Sequence, residues 1–334
     1  MANRGDISTD GKHFYDGDDW GWMPLWLTAA EVTELAAAEY GVRPASATLL
    51  SEGMLNQTWR LHGPDRDRVL RVGRTERTSE HARHEDRIVA AWAASVPQIV
   101  APESEHHPVI EGHVITLYPY CVGESGTMID PVLRAAQVAP LMARLHRISV
   151  DLDLPQRPGA RSVDDRPVID RWLPVRAAVI QRFGARPEII ADAAVVDEAV
   201  AELDDQIACW HRDHPESPRA VVHGDLNARN QLYREGRLVG IIDTDECRIE
   251  PLVWEVGGLA YSAPEVSPAT VWHDYLAAGG PLDEADEAML LPFARLGALG
   301  ELQWFTDETG QATHLAAQRL RTLAADLGGR PVRG

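Results

Sequence analysis

The stretch His223-Gly-Asp-Leu-Asn-Ala-Arg-Asn230, answered shortly afterwards by Ile241-Ile-Asp-Thr-Asp245, carries most of the information in this chain. A short β-type run at Ala220–Val222 precedes it. A hairpin pattern follows, pairing Gln231–Tyr233 with Leu238–Ile242 across Glu235-Gly236. Asp225 and Asn230 are five residues apart and stay on one loop, and the hairpin returns Asp243 to the same place. Phosphoryl transfer needs such a grouping. One carboxylate accepts or orients the attacking hydroxyl, while an amide oxygen and a second carboxylate hold magnesium against the phosphates. Magnesium takes hard oxygen ligands in a tight octahedron, which Asn and Asp supply alongside phosphate and water. Asp and Asn also cap ordinary turns, so the loop alone is not decisive.

Towards the N-terminus, β-type runs occur at Ala47–Leu50, Thr58–Leu61, Val69–Val72 and Val114–Leu117. A helix is predicted over Ser79–Ala94, with Ile88, Val89, Trp92 and Val96 on one face. Glu85 precedes Ile88 and Val89 by three and four, so it shares that face, where a carboxylate needs a cationic partner. Thr28-Ala-Ala-Glu31 is a capping box that opens an earlier helix, stopped at Gly41. Together these describe an α+β lobe over 28–117, preceded by an extension over 1–27. The extension carries Trp20, Trp22 and Trp26 and is expected to pack on that lobe. Tyr118–Gly123 reads as a connector.

From residue 124 to 334 the pattern is mainly helical. Asp130-Pro131 is an N-cap followed by a first-turn proline, and Pro140 is expected to kink or restart that helix. Val196, Val200, Leu203, Ile207 and Trp210 form one buried face, as do Ala316, Leu320, Leu323 and Leu327.

These motifs resemble the aminoglycoside phosphotransferase and choline kinase superfamily, which has a bilobal protein-kinase-like fold with a small β-rich first lobe and a larger, mainly helical second lobe. The likeness rests on the His-Gly-Asp-Leu loop, the Asn five residues after its Asp, and the Ile-Asp after a hairpin, and it covers about Ala47–Ala260. It implies that Asp225 is the catalytic base or hydroxyl-orienting group and that Asn230 and Asp243 are the metal ligands. His223 is then a brace, and Asp245 either a water-mediated metal contact or a hydrogen-bonded carboxylate. Ser51–Thr58 resembles the nucleotide-positioning loop, with Gly53 allowing close backbone approach and Asn56 suiting a turn. Val69–Val72 occupies the strand on which kinases carry a phosphate-gripping lysine. Lys12 is the only lysine in the chain, so Arg71 takes that role, with Glu85 as its expected partner. Tyr118, Pro119 and Cys121 correspond to the hinge that meets the nucleobase. Pro119 offers only a carbonyl there, and Cys121 is a source of the N–H.

The resemblance implies Mg2+ and ATP or GTP as cofactors, and a nucleoside triphosphate and a hydroxylated small molecule as partners. Antibiotic acceptors of aminoglycoside, macrolide, peptide or nucleoside type come first; choline, homoserine or sugars are the metabolic alternative. A non-catalytic nucleotide sensor on the same fold is the reading from another class, although Asp225, Asn230 and Asp243 are all retained. A protein kinase fits less well, because the loop reads His-Gly-Asp and no Ala-Pro-Glu follows Asp243. The sequence departs from the family at Ile249-Glu250-Pro251 and Gly258-Leu259-Ala260, with Glu255 nearby, so the acceptor is not readable from a close relative. Asp164, Asp165, Glu246, Glu250, Glu255, Asp307 and Glu308, with Trp172, Trp272 and Trp304, are candidates for an acceptor surface suited to a cation or a ring.

Composition is ordinary for a globular protein: 45% of residues are apolar and 25% charged. A net charge of −19 argues against nucleic acid and anionic membranes as partners. Cys121, Cys209 and Cys247 lack metal-ligand spacing and read as free thiols of a reducing compartment. The first residues have no signal-peptide pattern, and no apolar run reaches membrane-spanning length. A cytoplasmic monomer or homodimer is expected.

Overall fold

The computed structural model of the chain describes residues 27–50, 56–75, 77–306 and 314–328. The tryptophan-bearing extension, Gly53, Asp307 and Glu308 lie outside the described residues. In chain order the elements are α1 (Ala29–Tyr40), β1 (Ser46–Leu50), β2 (Gln57–His62), β3 (Arg68–Val72), α2 (Ser79–Ala93), β4 (Val109–Ile110), β5 (His113–Pro119) and β6 (Glu124–Ser125). Then come α3 (Pro131–Val150), α4 (Val168–Phe183), α5 (Pro187–Asp213), β7 (Arg219–Val222), β8 (Gln231–Arg234), β9 (Arg237–Ile241) and β10 (Arg248–Pro251). The chain continues with α6 (Leu252–Tyr261), α7 (Pro268–Ala277), α8 (Leu290–Trp304) and α9 (His314–Leu327). Packing groups them into two compact units. One holds the described residues up to Ile129 together with His223–Cys247; the other holds Asp130–Val222 and the described residues from Arg248 onward.

The first unit is built on an antiparallel five-stranded sheet in the order β1-β2-β3-β5-β4. Strand alternation sorts its side chains. Trp59, Leu61, Leu70, Val72, Ile115 and Leu117 share one buried cluster with Val32 and Ala36 of α1. Arg71 lies between Leu70 and Val72 and therefore points to the opposite face, with Thr58 and Thr116 as its cross-strand neighbours. The Thr28 capping box and left-handed Gly41 bound α1 as the sequence predicts. A second capping box, Thr78 with His81, opens α2, whose buried face carries Glu85, Ile88, Val89 and Trp92. Tyr118 and Pro119 still belong to β5, so the irregular connector begins only after them.

The same unit contains a smaller sheet, β6-β8-β9. Glu235 and Gly236 turn the β8–β9 hairpin with positive φ at both residues (52° and 71°), the primed-turn geometry that matches strand twist. Ile241 also bonds back through its N–H to Gln98 and its carbonyl to Val100, which anchors the hairpin's end.

The second unit is helical apart from the β7–β10 pair. Contrary to expectation, α3 runs unbroken through Pro140. The proline removes one backbone donor, but Val138, Ala139, Leu141, Met142 and Leu145 around it are fully buried, and that packing holds the helix together. Helices α6 and α8 approach so closely at Gly257 that an added Cβ would collide with the Leu290 carbonyl oxygen. Gly257→Ala is therefore expected to destabilise this unit by about 1–3 kcal/mol, the range for overpacking, as read from denaturant midpoints. No helix among the described residues is long and apolar enough to cross a membrane.

Candidate active site

After β7 the chain enters the His223–Asn230 loop through Gly224, whose φ of 81° favours a residue without Cβ. His223 is fully buried and braces the loop. Its Nδ1 accepts the Asp225 N–H at 3.3 Å, which leaves Nε2–H to donate to the Ile242 carbonyl at 3.2 Å. Thus the histidine ties the loop to the strand end that carries Asp243, the bracing role its position in the motif implies.

Two amides orient the Asp225 carboxylate. Asn227 Nδ2 donates to Oδ1 at 2.6 Å, and Asn230 Nδ2 donates to Oδ2 at 2.8 Å. Asn227 also caps the short turn Ala228–Asn230 by accepting the Arg229 N–H. Burial pushes the Asp225 carboxyl up to about 6, against the lowering effect of those two hydrogen bonds and with help from repulsion by Asp245 and Glu246. Asn230 gives its Nδ2 to the Asp225 carbonyl as well, so its amide nitrogen is committed to Asp225.

The Ile242 N–H bonds to the Asn230 carbonyl, which sets Asn230 beside the start of the turn Asp243-Thr-Asp-Glu246. Asp243 adopts φ 65°, an uncommon left-handed conformation for a residue with a side chain. Every residue of this turn is gripped. Arg71 Nη2 reaches Asp243 Oδ1 at 2.5 Å and Asp245 Oδ2 at 2.7 Å. Thr244 donates its hydroxyl to Glu85 Oε1 at 2.5 Å, and Arg74 Nη2 reaches Glu246 Oε1 at 2.5 Å. Burial, opposed by Arg71 and reinforced by the neighbouring carboxylates of Asp245 and Asp225, holds Asp243 well above the usual carboxylate range. Burial opposes the charge of Asp245 too, but Arg71, the hydrogen bond with Asp243, and Arg74 and Arg77 outweigh it and keep Asp245 ionised.

One expectation is corrected here. Arg71 does not pair with Glu85. Arg77 does, through Nη2 at 2.6 Å and Nε at 3.2 Å on Glu85 Oε2, and Arg77 Nη1 also donates to Thr116. The reason is geometric: Arg77 lies at the mouth of α2, one residue before its cap, so its guanidinium reaches back over the helix face. Thr244 occupies Oε1 and Arg77 occupies Oε2, while Arg71 turns its Nη2 to Asp243 and Asp245. Arg77, Arg74, Asn227 and Thr244 were not among the residues singled out from sequence. The repeat of arginines at 71, 74 and 77 was the available signal.

Asn56 is buried and accepts the Arg74 N–H through Oδ1 at 3.1 Å, so it anchors the backbone that presents Arg74. At the β5 end, the Tyr120 N–H is taken by the Asp67 carbonyl, and the register leaves the Pro119 carbonyl facing away from β3. The Cys121 thiol donates to Val239. The Tyr118 hydroxyl is buried near Glu85, Arg77, Arg71 and Asp245, without a hydrogen-bond partner among the described residues.

In the helical unit, the acids proposed for an acceptor surface are already engaged. Glu250 accepts Ser162, the Val163 N–H and Arg248; Glu255 pairs with His146; Asp164 pairs with Arg219, and Asp165 with Arg171. Trp172 and Trp272 are core residues, while Trp304 is 40% exposed. Glu250 and Glu255 are buried, where a carboxylate needs an internal partner, so their charge is not free to recruit a cationic ligand.

The antiparallel sheet, the loop bearing Asp225 and the hairpin that returns Asp243 beside Asn230 define an α+β, protein-kinase-like fold. A family model described as the phosphotransferase enzyme family matches residues 46–291, and the chain belongs to that family. Comparison of the sequence with curated proteins finds no significant match.

Among solved structures, a spectinomycin phosphotransferase in complex with ADP and spectinomycin is similar at 13% identity and a TM-score of 0.61, covering 91% of this chain and 99% of its own. The macrolide 2'-phosphotransferase of Brachybacterium faecium is similar at 18% identity and 0.56, with the same coverage of 91% and 99%. A GDP complex of aminoglycoside 2'-phosphotransferase-IIIa is similar at 16% identity and 0.63, again covering 91% and 99%.

Proposed function

We propose that this chain transfers the γ-phosphoryl group of a magnesium-bound nucleoside triphosphate, ATP or GTP, to a hydroxyl of an antibiotic-type small molecule in the cytosol. The observation that carries this reading is the Asp225 carboxylate, fixed by Asn227 and Asn230 on the loop that also brings Asn230 to the Asp243 turn. The spectinomycin, macrolide and aminoglycoside phosphotransferases with the same fold support the choice of acceptor class.

The residues fit magnesium. Three carboxylates, Asp225, Asp243 and Asp245, repel one another, and Asn230, its amide nitrogen committed to Asp225, adds an amide oxygen to the set. This is an all-oxygen donor set whose excess negative charge a small divalent cation would neutralise. Asn230 and Asp243 would hold the ion, which supplies charge neutralisation of the phosphates.

Asp225 orients the acceptor hydroxyl and takes its proton as the oxygen bonds to the γ-phosphorus, while the bond from that phosphorus to the β-phosphate oxygen breaks and the nucleoside diphosphate leaves. Arg71, on the sheet face opposite the α1 core, binds the phosphate oxygens. The Pro119 carbonyl and the Cys121 N–H meet the nucleobase, since the Tyr120 N–H is already spent. Asn227 and His223 hold the loop so that the carboxylate needs no rearrangement during the reaction.

A screen of ATP and GTP consumption against hydroxylated antibiotics, choline, homoserine and sugars tests the reading, with product mass locating the phosphate. Consumption with an antibiotic supports it. Consumption only with a metabolite moves the chain to metabolic kinases. Nucleotide binding without turnover on any acceptor would favour the sensor reading.

Asp243→Ala is expected to weaken magnesium-dependent nucleotide binding by about tenfold or more, the loss of a charged ligand, and Asn230→Ala by less, because it removes a neutral one. Nucleotide titration with and without magnesium checks both, and unchanged metal dependence in the pair would mean that the metal site is misplaced.

A further inference from the structure

Glu85 is held from two sides, and each side leads to a different part of the fold. On one, Arg77 grips Oε2 while its Nη1 is tied at 3.2 Å to Thr116 of β5. On the other, Oε1 takes the hydroxyl of Thr244, which lies between Asp243 and Asp245. Arg77, Glu85 and Thr244 are all buried, so water cannot replace any link of this chain. Its far end is the turn in which Asp243 sits at φ 65°, a conformation that persists only where neighbours enforce it.

We infer that Arg77 is a positioning residue for the Asp243–Asp245 turn, acting through Glu85 and Thr244, and that it takes over the α2 carboxylate so that Arg71 serves the carboxylate turn and the phosphates instead. Two cations thereby divide a task usually given to one. Arg77 fixes the helix carboxylate and, with it, the backbone of the turn. Arg71 neutralises the two carboxylates that flank Thr244. In the structure Arg71 Nη2 is committed to Asp243 and Asp245, and the α2 carboxylate is held by Arg77.

The inference rests on the reading of Asp243 as a metal ligand, and its test is a magnesium titration rather than turnover. Binding of ADP, and of GDP in parallel, is measured in magnesium and in chelator for the parent, Thr244→Val, Arg77→Ala and Arg77→Lys. Thr244→Val removes only the hydroxyl that Glu85 holds and keeps the side-chain shape. It and Arg77→Ala are expected to lower apparent magnesium affinity about tenfold, equivalent to ~1.4 kcal/mol. Nucleotide affinity in chelator should stay within about twofold of the parent, the scatter expected of an uncoupled site. Arg77→Lys should recover most of the metal affinity, and the Arg77→Ala, Thr244→Val double variant should bind magnesium no worse than the weaker single one.

A purely structural Arg77 would lower the melting temperature and leave magnesium affinity at the parent's value, which overturns the inference. If Arg77→Ala does not fold, Thr244→Val decides: parental magnesium affinity in that variant overturns the inference by itself. A parent whose nucleotide binding ignores magnesium removes the proposed metal site and this inference together. A metal-dependent parent with metal-indifferent variants removes only the inference.

Discussion

Asp225→Ala is expected to lower turnover by about 10²–10⁴-fold while nucleotide binds with nearly parental affinity, because a positioned general base contributes that much to a proton-coupled step. The structure makes this separation sharper than the motif alone would. Asp225 receives hydrogen bonds from Asn227 and Asn230 and none from Arg71, Arg74 or Arg77, the cations that surround the carboxylate turn. Its loss therefore leaves those ion pairs intact. Rapid-mix turnover with any acceptor that emerges from the screen, together with nucleotide titration, checks both halves. A full-rate variant would falsify the catalytic assignment; a variant that no longer binds nucleotide would show that Asp225 belongs to the metal site.

Arg71→Ala should have the second large effect, and its signature follows from the pairing that the structure reveals. Glu85 keeps Arg77 and Thr244, so α2 is not left with an unpaired carboxylate. The damage falls instead on Asp243 and Asp245, which lose the cation between them. Breaking a buried pair costs about 3–5 kcal/mol, and the low end applies because Arg71 and Asp245 are buried but Asp243 is only half-buried. Magnesium ions should then raise the melting temperature of Arg71→Ala more than that of the parent, since a divalent cation replaces the missing charge. Arg71→Lys should keep part of the stability but bind nucleotide more weakly, because the ammonium lacks the planar fork that contacts two oxygens at once. If Arg71→Ala melts like the parent with and without magnesium, the ion pair contributes nothing and Arg71 is not the phosphate cation.

The residues with the clearest chemistry were legible in the sequence because they are local. Asp225 and Asn230 share one loop, and Asp243 follows across a two-residue turn whose Glu-Gly sequence specifies a tight hairpin. Residue type, order and spacing within this segment are enough to assemble the site. Strands β1, β2, β3 and β5, the Thr28 capping box and the buried face of α2 were likewise written in short-range patterns. Glu85 was correctly marked as a carboxylate needing a cation.

What the pattern could not supply was which cation. Arg71, Arg74 and Arg77 each carry a long, flexible side chain, and no periodicity tells that Arg71 and Arg74 reach carboxylates 172 positions away while Arg77 takes Glu85, eight positions on. The choice depends on strand alternation, which sends Arg71 to the face opposite α1, and on the position of Arg77 just before the α2 cap. The fate of the acidic residues in the helical unit was hidden for the same reason. Asp164, Asp165, Glu250 and Glu255 look like surface charge in one dimension and prove to be engaged with Arg219, Arg171, Arg248 and His146. Spacing along the chain thus determined the fold class and the chemical groups of the site. Only tertiary packing decided their ion pairs, because a charge buried by folding takes whichever partner is brought beside it, however far away that partner is in sequence.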